Sequence, residues 1–226
     1  MKPLISLRGI KKSIGSEQIL KGIDLDIFEG EFVSIIGASG SGKSSLLYIM
    51  GLLDKPTEGE VFFEDRKIEN YQDKSLAYLR NKKIGFVFQF HYLIPELTVL
   101  DNIILPALKS GLSQSEAKKR AMELIKRLGL SGKENRKPYE ISGGEMQRTA
   151  IARALMNNPK VLLADEPTGN LDSSNTQKVM DIFKEINRNN TTVVMVTHEL
   201  ELARQTKRIV EIRDGMIIRQ EYLRAF

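Results

Sequence analysis

Apolar and polar residues alternate through the first part of the chain. Leu4 to Ile10 reads as one strand and Ile19 to Phe28 as another, the second with Ile23, Leu25 and Ile27 on one face. Glu31 to Ile36 is a short apolar run that ends in a glycine-rich loop, and a helical stretch follows from Lys43 to about Met50. Glu60 to Phe63 and Ile84 to Phe88 predict further strands. From Pro95 to Asn158 strand patterns nearly vanish. Ser113 and Glu116 form a capping box that predicts a helix to about Leu128, and a second helix is expected from Gly144 to about Met156. Strand patterns return at Val161 to Ala164, Thr192 to Val196 and Ile209 to Ile212, with a helix expected over Asn175 to Asn187. Asp214-Gly215 between apolar runs marks a hairpin turn.

Strands alternating with helices imply an α/β fold with a largely parallel sheet and flanking helices. The change of texture predicts a helical lobe, from about residue 90 to about residue 158, inserted into a core lobe of about 1–89 and 159–226. A chain of 226 residues suits one domain with two such lobes.

Composition narrows the chemistry. Cysteine is absent, which excludes disulfides, thiolate metal sites and a cysteine nucleophile, and fits a reducing compartment. Arg8, Lys11 and Lys12 interrupt the apolar start before a signal-peptide core forms. No apolar stretch approaches the roughly 20 residues that span a bilayer, so direct membrane insertion is not expected and any work at a membrane needs another chain as anchor. The formal net charge of +5 is scattered. Its densest cluster, Lys118-Lys119-Arg120, lies beside Glu116 and Glu123 and reads as a solvated helix face; no nucleic-acid partner is expected.

Gly37-Ala38-Ser39-Gly40-Ser41-Gly42-Lys43-Ser44 matches the phosphate-loop pattern G-x-x-x-x-G-K-[ST] in full. Glycines there let backbone N–H groups ring a triphosphate, and the following helix aims its positive end at it. Lys43 is expected on the β- and γ-phosphates of ATP, and the Ser44 hydroxyl on Mg2+, with Ser45 in the same nucleotide-binding segment. Val161 to Ala164 leads into two adjacent carboxylates. A carboxylate at the carboxyl end of a buried parallel strand lies where α/β sheets bind ligands. Asp165 is therefore a candidate for the Mg2+ shell, and Glu166 for the base that deprotonates the attacking water.

Ile141-Ser142-Gly143-Gly144-Glu145-Met146-Gln147-Arg148, followed by Ile151-Ala152-Arg153-Ala154-Leu155, resembles the signature segment of ABC ATPases. Taken alone, Ser142 and two glycines say only that a helix begins there. The resemblance implies a P-loop ABC ATPase fold, with a mixed sheet in the core lobe. It also implies a homodimer, in which Ser142, Gly143 and Gly144 of one protomer close over the γ-phosphate held by another. On the same resemblance Gln89 matches the glutamine that senses Mg2+ and the attacking water. Asp172, in Gly169-Asn170-Leu171-Asp172, matches a residue that crosses to the second ATPase subunit. His198, one of only two histidines, matches the switch histidine on the γ-phosphate. One feature departs from the family: an aromatic that stacks on adenine is usual shortly after the first strand, yet Ile14 aligns there and no aromatic precedes Phe28. This puts base recognition in question while leaving the phosphate chemistry intact.

Leu53-Asp54-Lys55-Pro56-Thr57-Glu58-Gly59 and Leu163 to Asp172 look like one subgroup, that of lipoprotein-releasing, macrolide-exporting and cell-division ATPases. Phe88 to Pro95 and Gly143-Gly144-Glu145 look most like the lipoprotein-releasing type. The subgroup implies membrane permease partners with periplasmic domains and a peripheral location on the cytoplasmic face of the bacterial inner membrane. A macrolide-exporter-like or division-type ATPase is the alternative within the subgroup. A soluble nucleic-acid ATPase is the alternative from another class; it would show DNA binding that falls steeply with salt.

Overall fold

The computed structural model describes residues 2–69 and 74–223. Strands β1 (Pro3–Ile14) and β2 (Glu17–Phe28) form an antiparallel hairpin. With β4 (Glu58–Phe63) and the two-residue β5 (Arg66–Lys67) they make a four-stranded antiparallel sheet in the order β2-β1-β4-β5. A six-stranded sheet contains β3 (Phe32–Ile36), β6 (Ile84–Phe88), β7 (Val161–Asp165), β8 (Thr192–Val196), β9 (Arg208–Arg213) and β10 (Met216–Tyr222). Its order is β10-β9-β3-β8-β7-β6; the pairs from β9 to β6 are parallel and β10 is antiparallel to β9.

The largely parallel sheet expected from the sequence is thus only one of two. Connection length is the reason. Strands joined by a tight turn must run antiparallel, whereas parallel neighbours need a crossover of a dozen or more residues. The two-residue turn between Ile14 and Glu17 fixes the first case. Asp214 (φ 49°) and Gly215 (φ 77°), both left-handed, form the predicted hairpin turn between β9 and β10.

Strands β7 and β8 are buried throughout, which explains their unbroken apolar runs. The pleat divides each between two cores. Val161 and Leu163 face a cluster shared with the antiparallel sheet and helix α1 (Lys43–Met50). Leu162 and Ala164 face a cluster shared with α3 (Val99–Lys109), α4 (Gln114–Arg127), α5 (Gly143–Leu155) and α6 (Ser173–Arg188).

The Ser113–Glu116 capping box opens α4 as expected. Two helices lacked a legible pattern. In α2 (Lys74–Lys83) only Leu76 is fully buried, so almost no apolar stripe marks it. In α3 an internal Pro106 argues against a helix, but Thr98 caps its start by accepting from the Asp101 N–H, and Val99, Ile103 and Ala107 bury one face. A one-turn helix, α7 (Leu200–Ala203), follows β8.

Strands β3, β8, β7 and β6 are neighbours and parallel, so their carboxyl ends share one edge. That edge carries, in spatial order, the loop after Ile36, Thr197-His198, Asp165-Glu166 and Gln89. Open α/β sheets bind ligands outside this edge.

Candidate active site

The phosphate loop runs from the end of β3 to α1. Gly37 passes so close to the next strand that a Cβ there would lie 2.2 Å from the Ile212 carbonyl oxygen, so only glycine fits. Ala38, Ser39 and Gly40 are exposed. Ser41 and Lys43 are largely buried, and the Lys43 ammonium donates to the Ala38 carbonyl at 2.7 Å, folding its side chain across the loop. Gly42 caps α1 in the left-handed conformation, φ 99°.

Two side-chain pairs sit beside this loop. The Ser44 hydroxyl donates to Asp165 Oδ1 at 2.9 Å, joining the start of α1 to the end of β7. His198 Nδ1 lies 2.9 Å from Glu166 Oε2, joining the ends of β8 and β7. Glu166 has a left-handed backbone, φ 46°, held by its N–H donating to the Val196 carbonyl at 3.0 Å. That conformation costs a non-glycine residue about 1–3 kcal/mol and persists only where surrounding contacts hold it. It turns the Glu166 side chain out of the direction Asp165 takes. The two carboxylates therefore have separate partners: two hydroxyls for Asp165, an imidazole for Glu166.

Gln89 is not bonded to these pairs. Its amide N–H donates to Asn170 Oδ1 at 3.4 Å, and the Asn170 amide donates back to the Gln89 carbonyl at 3.2 Å. The segment after β6 is thereby tied to the loop after Glu166.

Ser142, Gly143 and Gly144 lie elsewhere. Ser142 caps α5 in a capping box with Glu145, whose carboxyl is held below its ordinary range chiefly by the Ser142 N–H. A Cβ on Gly144 would meet Asn175 Oδ1 at 2.3 Å, and the nearest neighbour of Gly143 is Leu171. The signature thus borders the start of α6 and not the phosphate loop of its own chain. Asp172 caps α6: it accepts from the Asn175 N–H at 2.9 Å and from the Asn175 amide at 2.7 Å. These bonds, the backbone one first, hold its carboxyl below the usual range.

Three contributors escaped the sequence reading. Gln147, fully buried, donates to the Pro167 carbonyl at 2.7 Å and links α5 to the acidic loop. Arg153 donates to the carbonyls of His91 and Tyr92, both at 2.6 Å, where the chain after Gln89 takes two left-handed residues in succession. Tyr48 donates to Asp165 Oδ2 at 2.7 Å; burial first, then this carboxylate, pushes its phenol well above the ordinary value. The signal for Tyr48 was available, since it lies four residues after Ser44 and so on the same helix face. Gln147 and Arg153 lie within the segments that carry the family resemblance, but their partners, the Pro167, His91 and Tyr92 carbonyls, are set by tertiary packing.

The described residues hold no group of three acidic or histidine side chains able to cage a metal ion. What they offer is hard oxygen: the Ser44 hydroxyl and the Asp165 carboxylate. That set fits Mg2+, which keeps several waters and is held by one or two protein oxygens together with substrate phosphates.

Ile14 ends β1 and is 62% exposed at the tip of the hairpin. The hairpin reaches the phosphate loop a few residues later, because a Cβ on Gly42 would meet Leu20 Cδ2 at 2.7 Å. Phe90, Tyr92 and Ile94 are exposed, while Leu93 is partly buried. Behind Phe88 lies a groove of about 330 Å3, lined among others by Leu53, Phe86, Phe88, Pro106, Arg153 and Ala154.

The ABC transporter family profile matches residues 20–169. The lipoprotein-releasing system ATP-binding protein LolD of Aquifex aeolicus is 60% identical over 218 residues, covering 96% of this chain and 97% of its own. LolD of Bacteroides thetaiotaomicron is 50% identical, covering 95% of this chain and 99% of its own. The macrolide export ATP-binding/permease protein MacB of Escherichia coli is 48% identical over 96% of this chain, which corresponds to 34% of MacB. Among solved structures, a dimeric ATP-binding cassette in a post-hydrolysis state, bound to ADP and Pi, superimposes with a TM-score of 0.90 at 47% identity, covering 98% of this chain and 100% of its own.

Proposed function

The chain belongs to the ABC transporter family as an ATP-binding, ATP-hydrolysing subunit, and on that premise we propose that it powers lipoprotein release from the inner membrane. It would work as a homodimer on the cytoplasmic face, docked on permease subunits that carry periplasmic domains. The observation behind the cargo is the 60% identity to a lipoprotein-releasing ATPase over nearly the whole of both chains, against 48% to the macrolide exporter. No helix among the described residues is long and apolar enough to cross a membrane, so the membrane component is assigned to other chains.

The residues divide the work as follows. The loop from Gly37 to Ser45 would bind the triphosphate, with Lys43 leaving the Ala38 carbonyl for the β- and γ-phosphates. Ser44, Asp165 and, after leaving Asn170, Gln89 would hold Mg2+, which supplies neutralisation of the charge on the phosphate oxygens. Glu166 would accept the proton of the attacking water as its oxygen bonds to the γ-phosphorus and the bond to the bridging oxygen breaks. His198 would orient that carboxylate and contact the γ-phosphate. Ser142 to Gly144, with Asp172 beside them, would act on the nucleotide held by the partner protomer.

To test this reading, the complex is purified with its membrane subunits and placed in proteoliposomes with an acylated protein. ATP-dependent release is expected; ATP hydrolysis without release, or copurification of a macrolide-type exporter, overturns the cargo.

The permease is expected to dock in the groove behind Phe88 and on the exposed Phe90, Tyr92 and Ile94. A wholly core reading of these side chains does not fit their exposure of 67%, 63% and 41%. Because the chain has no cysteine of its own, introduced cysteines report without background. Pairs between residues 90–100 and a cytoplasmic helix of the permease should crosslink in a nucleotide-dependent way. Crosslinks confined to the opposite face of the subunit would refute the docking site.

Ile14 offers adenine an aliphatic surface without a ring. Stacking a base on an aromatic is worth about 1–3 kcal/mol. Ile14→Tyr should tighten ATP binding about tenfold, or about 1.4 kcal/mol, with the maximal rate little changed. The unmodified chain should discriminate poorly between ATP and GTP. A hundredfold preference for ATP in a competition assay would show that another contact reads the base.

A further inference from the structure

Asp165 is held at both oxygens by hydroxyls from one helix. Ser44 donates to Oδ1 at 2.9 Å and Tyr48 donates to Oδ2 at 2.7 Å. The two donors are one helical turn apart, so both leave the same face of α1. Asp165 itself is only 9% exposed, and a carboxylate so placed needs a donor on each oxygen that water cannot reach. The position of the Tyr48 hydroxyl is set in turn by an aromatic shelf on β6. Its ring packs against Phe88 at 6.2 Å between centroids, Phe88 stacks on Phe86 at 5.6 Å, and Tyr92 meets Phe88 edge-on at 5.1 Å. A phenylalanine at position 48 would fill the same space and satisfy the shelf. The hydroxyl therefore serves Asp165 and not the packing.

We propose that Tyr48 is a positioning residue for the nucleotide-bound Mg2+: by holding Asp165 Oδ2 from behind, its hydroxyl keeps Oδ1 turned towards Ser44 and the metal position. This rests on the reading that Ser44 and Asp165 hold Mg2+. Partners that orient a ligating carboxylate in this way typically change metal affinity or activity 10–100-fold when removed. Tyr48 touches neither phosphate nor water in this scheme and acts only through Asp165.

The test uses ATP binding, not turnover. Tyr48→Phe is made in the Glu166→Gln chain, so that nucleotide is not consumed, and folding is checked by thermal melting. The dissociation constant of labelled ATP is measured by equilibrium dialysis in excess Mg2+ and again in EDTA. Affinity in EDTA should stay within twofold of the parent, while the tightening that Mg2+ produces should shrink about tenfold. A Mg2+ effect within twofold of the parent overturns the proposal, since the hydroxyl would then be merely structural. Equal weakening with and without Mg2+ also overturns it, because the fault would lie in the phosphate loop. If the Glu166→Gln parent itself shows no tightening by Mg2+, the failure belongs to the assignment of Ser44 and Asp165. Tyr48→Trp gives a second arm: it keeps an aromatic on the shelf but moves the donor, and the Mg2+ effect should again shrink with the EDTA affinity kept.

Discussion

Glu166→Gln should reduce ATP turnover by about 10²–10⁴-fold, the share that a general base contributes, while ATP binding should survive. The amide has the shape of the carboxylate but cannot take the proton from water. The phosphate loop, the proposed nucleotide holder, is fixed through Gly37, Lys43 and Ser44 by contacts that do not involve Glu166. The Glu166 N–H donates to the Val196 carbonyl, a backbone bond that the substitution leaves in place, so the φ of 46° should be kept. Uncleaved ATP should therefore accumulate in the site and trap a dimer that elutes at twice the monomer mass when ATP is present and as monomer when it is removed. Single-turnover hydrolysis with labelled ATP is the measurement. Near-normal cleavage by the variant would remove Glu166 from the reaction and leave its neighbour His198 as the candidate base.

Ser142→Arg should stop hydrolysis almost as completely, through a different cause. Within one chain Gly143 and Gly144 neighbour Leu171 and Asn175, so on the proposed reading any contribution of Ser142 to Gly144 to hydrolysis would come from a second copy. In accord with this, hydrolysis by the unmodified chain should rise more than linearly with its concentration. On the proposed reading, a bulky cation at position 142 would block the approach of the second copy and remove a donor to the γ-phosphate, an interaction type worth about 10²–10³-fold in rate. It also removes the N-cap of α5, which should lower stability by about 1 kcal/mol. ATP affinity of the monomer should stay nearly unchanged, because no part of the phosphate loop is touched. Strictly linear kinetics over a wide concentration range, with no dimer by light scattering, would make each chain self-sufficient and this expectation wrong.

The candidate-site groups and the fold were legible in the sequence to an unequal degree. The phosphate loop, the Asp165-Glu166 pair and the Ser142 cap were readable because each is local: a motif, a strand end and a capping box are set by neighbours within a few residues. The hairpin at Asp214-Gly215 was readable for the same reason, two residues that tolerate left-handed backbone between two apolar runs. Helix α3 was not, because its internal Pro106 is outweighed by burial of Val99, Ile103 and Ala107 against helices far along the chain. Helix α2, with only Leu76 fully buried, lacks the stripe that periodicity detects.

By itself the sequence offered candidates for the chemistry and the order in which they come, since spacing along a strand or helix follows from backbone geometry. It also determined that the core is α/β, through the alternation of two periods. Only the tertiary structure decided which of these residues meet. Ser44 and Asp165 are 121 positions apart, and Glu166 and His198 are 32 apart. They become neighbours because β3, β8 and β7 lie side by side and parallel. Strand order is a consequence of how two apolar faces of one sheet are covered, a property of the whole chain. The same packing set Tyr48 against the far oxygen of Asp165, bound Gln89 to Asn170, and placed Gly143 and Gly144 beside Leu171 and Asn175. Each of these depends on contacts between elements whose separation in sequence carries no information about their distance in space.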